Sequence, residues 1–138
     1  MSPTDSKSFL DHWHRIVAER DHAALGSVLD PDVVMGPPPY WQKFEGREVV
    51  AHLLGIIVET IEDFTYHREW CDGSELALEF TGHVGDIQLQ GIDLITLDAE
   101  NRIVKLDVLM RPMNAVARLQ QVVAPQMMEF LKARAGAT

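Results

Sequence analysis

The 138-residue sequence has a single cysteine, Cys71, so no disulfide can form within the chain. This composition is typical of proteins from a reducing compartment. The longest apolar stretch, residues 49–61, is interrupted by His52 and Glu59 and is too short to span a bilayer. Residues 1–9 contain no apolar run and do not resemble a signal peptide. We therefore expect a cytoplasmic protein with no membrane partner.

Positive charge is also scarce. Twelve Lys and Arg residues oppose 21 Asp and Glu residues, which gives a formal net charge of −9. A surface of this sign repels phosphate backbones, and the basic residues are scattered along the chain rather than clustered. We therefore expect no nucleic-acid partner.

What is present is an ordinary globular composition, with 46% hydrophobic and 24% charged residues. A chain of this length has the usual size of one domain and can bury roughly 68% of its unfolded surface. The sequence therefore predicts a single domain over residues 1–138 with a core that needs no disulfide or metal to hold it.

The two halves of the chain differ in hydrophobic period. Helical spacing predicts helices over about 6–19, 21–29 and 47–62, with a brief strand at 33–35 and a stiff, proline-rich loop at 36–41. Alternation predicts strands over 64–70, 76–84, 87–97 and 103–111, and their short turns favour an antiparallel meander. A last helix over about 114–135 contains Pro125, which should kink or break it. This order predicts an α+β fold with helices on one face of a bent sheet.

Three local patterns carry a resemblance to a known family. Residues 46–48 (Gly-Arg-Glu) open the third helix after the proline-rich loop, residues 91–98 precede Asn-Arg-Ile-Val at 101–104, and the last strand ends at 108–112. From about residue 9 to 131 the chain resembles the nuclear transport factor 2-like superfamily, in its SnoaL-like branch. The resemblance implies a cone-shaped, curved, mostly antiparallel sheet wrapped by N-terminal helices, plus a C-terminal helix. Because the superfamily includes isomerases, cyclases, hydrolases, dehydratases and transport factors, it leaves the function open.

Side chains alternate between the two faces of a strand, but both sets of strand 87–97 are mostly apolar, so the period alone cannot assign them. Similarity to the steroid isomerases assigns the interior of the cone to Trp13, Val17, Met35, Tyr40, Trp41, Leu76, Leu78, Phe80, Gln88, Gln90, Ile92, Leu106, Val108 and Met110. An apolar lining with a few polar tips is typical of a small-molecule site. We expect a pocket for a small apolar molecule, with Gln90 and Trp13 orienting its carbonyl or hydroxyl group. A core filled by these side chains is the alternative.

The resemblance supplies no acidic group for catalysis. The base position of steroid isomerases falls at Gly36, their tyrosine at Trp13 and their protonated acid at Gln90, while the last-strand position of the epoxide hydrolases falls at Val108. No cluster of metal ligands is visible, and we expect neither a metal nor a cofactor. A ligand-binding protein without covalent chemistry is the first hypothesis. The alternative is an acid–base isomerase, cyclase or dehydratase for a polyketide-, steroid- or terpenoid-like substrate, using Tyr40, His67 or an unassigned carboxylate.

The same face assignment places Asp93 and Asp107 on the outside of the sheet, so we expect no carboxyl group inside the pocket. A β-bulge at Gly91 would turn Asp93 inward and favour an enzyme. The outer face would then carry Ile87, Leu89, Ile95, Leu97 and Leu109. A patch of this size predicts a homodimer through the outer face, unless the C-terminal helix covers it.

Overall fold

The computed structural model describes residues 3–136, with side chains from residue 6 onward. Its elements are α1 (Pro3–Glu19), α2 (His22–Ser27), β1 (Leu29–Gly36), β2 (Phe44–Glu45), α3 (Arg47–Thr60), β3 (Glu62–Asp72), β4 (Glu75–Val84), β5 (Ile87–Leu97), β6 (Ile103–Arg111) and α4 (Met113–Gly136). The predicted α+β fold with N-terminal helices, a curved sheet and a C-terminal helix is confirmed.

The six strands form one sheet in the order β2-β1-β6-β5-β4-β3. Strands β3 to β6 make the predicted antiparallel meander, and β1 joins it by pairing in parallel with β6. Gly73 and Gly85, both with φ of 61°, occupy the tight turns on either side of β4, where the left-handed backbone suits a residue without Cβ. Placing β1 beside β6 brings the proline-rich loop, which follows β1, to the same end of the sheet as the start of α4.

Several boundaries differ from the sequence prediction. Strand β1 begins at Leu29 rather than at residue 33, which shortens α2, and the two-residue strand β2 was not predicted. Helix α4 continues through Pro125, so the break that was one of the two predicted outcomes does not occur, while a kink at Pro125 stays a prediction. Pro125 lies on the exposed side of the helix, where water can hydrogen-bond a carbonyl that the ring leaves without a donor.

The core lies between the concave face of the sheet and the helices. Phe9, Trp13 and Ile16 recur at helical spacing in α1 and are at most 3% exposed. Helix α4 covers the same concave side, because its Ala115 and Leu119 belong to a buried cluster with Phe80, Val84 and Leu89. The predicted alternative, in which the C-terminal helix covers the outer face, is therefore wrong. Among the described residues, no helix combines the length and the hydrophobicity needed to cross a membrane.

Strand β5 faces the opposite way from the sequence assignment. Its register with β4 runs without interruption from Glu75 opposite Thr96 to Val84 opposite Ile87, so Gly91 carries no bulge. Directly opposed residues share a face, and Asp93 is opposite Leu78 in β4. Asp93 is 7% exposed, whereas its neighbour Ile92 is 36% exposed.

The side chains of β5 therefore lie on the opposite faces from those assigned by the sequence. Gln88, Gln90 and Ile92, assigned to the interior, lie on the outer face. The inner face instead holds Leu89, Gly91, Asp93, Ile95 and Leu97. The irregularities of the sheet lie elsewhere, and one of them is a shift in β3 between Tyr66 and Glu69.

Candidate functional site

Among the side chains of residues 6–136, only the carboxyl group of Asp93 borders the interior of the cone. It borders a small inner cavity of about 30 Å³. The expectation that no carboxyl group enters the interior is therefore wrong. The rest of the wall is almost wholly apolar and is contributed by Trp13, Val17, Met35, Pro38, Leu54, Ile57, Val58, Ile61, Phe64, Tyr66, Phe80, Leu106, Val108, Met110 and Leu119.

Two hydrogen bonds link Asp93 to α1. The indole Nε1–H of Trp13 donates to the Tyr66 hydroxyl oxygen over 2.8 Å. The Tyr66 hydroxyl in turn donates to Asp93 Oδ2 over 2.7 Å. An indole N–H can only donate, so Tyr66 accepts from Trp13 and directs its own proton at Asp93. When Asp93 is protonated, its proton therefore belongs on Oδ1.

Burial changes the acidity of this chain of groups. Loss of water around Asp93 raises the pKa of its carboxyl from 3.8 to about 7, and the hydrogen bond from Tyr66 opposes that rise only in part. Burial and the neighbouring Asp93 charge raise the pKa of the Tyr66 hydroxyl well above 10.0, so Tyr66 remains a donor. Asp93 is thus a carboxyl group that can gain or lose a proton near neutral pH, which is what a general acid or base requires.

Packing on the inner face of the sheet positions Tyr66 and Asp93. Tyr66 lies just before the irregularity in β3 and packs edge-on against Phe64 and Phe80. Phe80 lies over Gly91, the only residue type that leaves room for its ring, since a Cβ there would be 2.6 Å from the Leu109 carbonyl oxygen and closer still to Phe80 Cζ. The glycine in β5 therefore lets the aromatic wall approach Asp93.

A second, larger cavity of about 230 Å³ opens beside the first and is called the vestibule below. The proline-rich loop, α3 and α4 enclose it. Three residues, Pro38, Ile57 and Leu119, line both cavities, so the vestibule adjoins the space beside Asp93. Gln120 of α4 donates to the Tyr40 hydroxyl over 2.9 Å and ties the loop to the helix.

The structure brings together only some of the residues assigned from sequence. Trp13, Val17, Met35, Phe80, Leu106, Val108 and Met110 line the inner cavity. Leu76 and Leu78 are buried in the adjoining core. Tyr40 lines the vestibule, and Trp41 is 96% exposed and borders neither cavity.

Other candidates lie outside the cone. Gln90 donates to Glu79 Oε2 and accepts from Arg111, which satisfies it on the outer face. His67 hydrogen-bonds Thr81 on the same face, and Asp107 forms an ion pair with Lys43 at 3.0 Å. Among residues 6–136, no three His, Cys, Asp or Glu side chains converge in a way that could hold a metal ion.

Sequence reasoning missed Tyr66 altogether, and it assigned Asp93 to the outer face unless a bulge at Gly91 turned it inward. Asp93 could have been found by counting polar residues. The inner set of β5 contains one acid among aliphatic residues, whereas the outer set contains two glutamines and a threonine. The inward direction of Tyr66 was harder to predict from the sequence. The register shift that follows it breaks the alternation of inward and outward side chains in β3.

Comparison with solved structures places this geometry in a known group. A steroid delta-isomerase from Pseudomonas aeruginosa is 34% identical, with a TM-score of 0.85 over 93% of this chain and 95% of that one. An uncharacterised protein with a cystatin-like fold from Silicibacter pomeroyi is 33% identical, with a TM-score of 0.86 over 92% of both chains. A third structure is that of SalBIII, an epoxide hydrolase/cyclase-like enzyme with a role in pyran ring formation in the polyether salinomycin. It is 18% identical, with a TM-score of 0.66 over 79% of this chain and 92% of that one, and this likeness concerns the fold alone.

No protein of curated function matches the chain in sequence. The model of the SnoaL-like domain family matches residues 10–106, which include most of α1, the whole of β5 and Asp93. The matched span and the two relatives above 30% identity establish that the chain belongs to the SnoaL-like domain family.

Proposed function

We propose that this protein is an acid–base enzyme for a small, neutral, largely apolar substrate, with Asp93 as the proton donor. The observation that carries the proposal is a buried carboxyl group that borders a cavity and has one oxygen available. Oδ2 accepts from Tyr66, and no group among residues 6–136 hydrogen-bonds Oδ1. A carbonyl or hydroxyl oxygen of a substrate can accept from Oδ1 without displacing a protein partner.

The surroundings favour an acid over a base. The wall around Asp93 is apolar, so the neutral carboxyl is the stable form below about pH 7. The same wall offers no second donor for an anionic substrate oxygen, which a carboxylate base would need. A positioned general acid contributes roughly 10²- to 10⁴-fold to a rate. The likeness to a protein described as a steroid delta-isomerase supports proton transfer on an apolar substrate.

The test measures proton transfer on simple ketones and does not depend on the identity of the natural substrate. A panel of small ketones is incubated with the protein in deuterated water, and deuterium incorporation next to the carbonyl is followed by NMR. Asp93 donates its proton to the carbonyl oxygen while a water molecule from the vestibule removes the α-proton; the enol then takes a deuteron from solvent at carbon and returns the oxygen-bound proton to Asp93. Incorporation should therefore be fastest at low pH and fall as Asp93 ionises near pH 7. Asp93→Asn should abolish the acceleration, whereas Asp107→Asn, outside the cone, should keep it. Equal acceleration by both variants would refute the proposal.

A ligand-binding protein without chemistry is the second candidate. It is favoured by the size of the vestibule, about 230 Å³, and by the presence of only one carboxyl group in the inner wall. This candidate predicts ketone binding that weakens as Asp93 ionises, with no deuterium incorporation at any pH.

We also propose a homodimer through the outer face of the sheet. On that face Trp70, Ile92, Leu94 and Leu109 are 36–56% exposed, and this apolar patch shares only Leu109 with the predicted one. A two-fold axis would bring this patch against itself. Light scattering at micromolar concentration should give a dimer mass, and Leu109→Glu should shift it to the monomer. A monomer mass for the unmodified protein would disprove the dimer.

A further inference from the structure

The shape of the space around Asp93 limits what kind of molecule can bring an oxygen to it. We propose that the substrate is an unbranched, neutral, apolar chain with a carbonyl group at or next to one end. The carbonyl lies in the inner cavity and the chain lies in the vestibule. The assignment of the carbonyl end rests on the proposed function, whereas the assignment of the chain rests on the vestibule alone.

The two cavities differ strongly in size. The inner cavity of about 30 Å³ has the volume of about one water-sized group, enough for the oxygen end of a carbonyl group. An apolar cavity of about 150 Å³ holds a benzene ring, so no ring fits beside Asp93 in this conformation. The vestibule, at about 230 Å³, has room for roughly nine carbon atoms in the same proportion. The carbonyl must therefore sit near the tip of the molecule.

The junction between the cavities admits only apolar atoms. Pro38, Ile57 and Leu119 line both spaces, and none of these side chains can donate or accept a hydrogen bond. A polar atom placed there would lose its water without gaining a partner. The part of the substrate next to the carbonyl is therefore made of methylene groups.

The vestibule itself selects a neutral chain. Its α4 wall contributes Val123 and Met127, and of the residues that the structure describes, Lys43 is the one charged residue in the lining. The Lys43 ammonium is already held by Asp107 at 3.0 Å, so a charged tail would have to displace an ion pair to find a partner. The Gln120–Tyr40 hydrogen bond holds the proline-rich loop against this α4 wall. Apolar burial is then the main source of affinity for the chain.

The experiment is a calorimetric titration with the homologous methyl ketones from 2-butanone to 2-undecanone at pH 6. Affinity should rise about threefold to fourfold per methylene and level off when the vestibule is full. Ala124 lines the vestibule, so Ala124→Phe should shorten the chain length at which affinity levels off. Ala117→Phe, on the exposed side of the same helix, should leave the series unchanged. A fused bicyclic ketone should bind more weakly than a methyl ketone of equal carbon number.

The outcomes separate this inference from the proposed function. If affinity does not depend on chain length, or if Ala124→Phe and Ala117→Phe behave alike, the chain site is wrong even when Asp93 still transfers protons. If Asp93→Asn keeps the dependence on chain length but loses the response of binding to pH, both assignments are supported. A bicyclic ketone that binds as tightly as the matched chain would overturn the inference.

Discussion

Two carboxyl groups lie on neighbouring strands of one sheet and behave in opposite ways. Glu79 of β4 is 6% exposed and faces outward, and Asp93 of β5 is 7% exposed and faces inward. Hydrogen bonds from Arg68 hold the pKa of the Glu79 carboxyl down at about 2, whereas burial raises the pKa of Asp93 to about 7. Glu79 and Asp93 are thus almost equally exposed, but their pKa values are shifted in opposite directions.

The partners account for the difference. The Arg68 guanidinium donates to both oxygens of Glu79, at 2.7 and 2.9 Å, and the Arg68 backbone N–H and Gln90 add two further donors. Asp93 receives one neutral donor, the Tyr66 hydroxyl. A bidentate guanidinium compensates a carboxylate for its lost water, and a single hydroxyl does not. The outer group is therefore a fixed anion with a structural role, and the inner group is an acid that can exchange its proton.

The largest expected effect comes from Asp93→Asn on stability. The unfolded carboxyl ionises near pH 3.8 and the folded one near 7, so between these values the native state binds more protons and stability falls as pH rises. The shift of about three pKa units corresponds to roughly 4 kcal/mol lost between pH 3.8 and pH 7, of which roughly 3 kcal/mol is lost between pH 5 and pH 8. Asn cannot ionise, so urea unfolding at pH 5 and pH 8 should show a smaller loss in the variant. Equal losses in both proteins would contradict the raised pKa.

Gly91→Ala tests whether the inner face of β5 is correctly assigned. The added Cβ would meet the Phe80 ring and the Leu109 carbonyl oxygen, and the backbone oxygen cannot move aside easily. We expect a loss of about 1–3 kcal/mol in unfolding free energy. Gly26→Ala in α2 is the control, since nothing lies within 4 Å of its Cβ position. Equal stability of the two variants would mean that Gly91 does not face Phe80.

Tyr66→Phe removes the one donor to Asp93. The hydrogen bond lowers the pKa of Asp93, so its loss should move the midpoint of the pH dependence above 7. It also leaves the Trp13 N–H without its acceptor, at a cost of about 1–3 kcal/mol in unfolding free energy. The chain has two tyrosines, and Tyr40→Phe serves as the matched control. A midpoint unchanged in the Tyr66 variant would exclude the hydrogen bond.

The smallest effect is expected on the outer face. Arg68→Met should raise the pKa of the Glu79 carboxyl from about 2 towards 4.5, because the guanidinium is the main cause of its depression. Carboxyl-detected NMR titration measures this directly. Arg15→Met, which changes an arginine paired with Glu19 in α1, should leave Glu79 unaffected. If Glu79 titrates alike in both variants, Arg68 is not the partner that sets its acidity.

Strand faces could be predicted where polar and apolar residues alternate cleanly. In β4 the apolar Leu76, Leu78 and Phe80 alternate with less hydrophobic residues, and their inward assignment agrees with the structure. In β5 the residues of both faces are largely apolar, so alternation gave only a weak indication of which face is buried. The resemblance to steroid isomerases placed Gln90 inside, although the face that carries Gln90 is the more polar of the two. Because the two faces of β5 were assigned the wrong way round, Asp93 was placed outside the pocket and the candidate site was not predicted.

Other features depended on contacts that no local pattern encodes. The raised pKa of Asp93 follows from burial by α1, β1 and β3, which are far from it in sequence. The vestibule exists because α4 continues past Pro125 and brings Met127 over the proline-rich loop. The sequence alone predicted a kink or a break at Pro125.

The parallel pairing of β1 with β6 has a consequence for the order of folding. Strands β3 to β6 join through short turns, whereas Met35 meets Leu106 only after a loop of roughly 70 residues has closed, at a higher entropic cost. Met35 and Trp13 complete the wall around Asp93, and both arrive from the N-terminal part of the chain. Until they arrive, Asp93 is in water and ionised at neutral pH. We therefore expect the chain to take up a proton late in folding, so that refolding in unbuffered solution makes the medium more alkaline after the meander has formed.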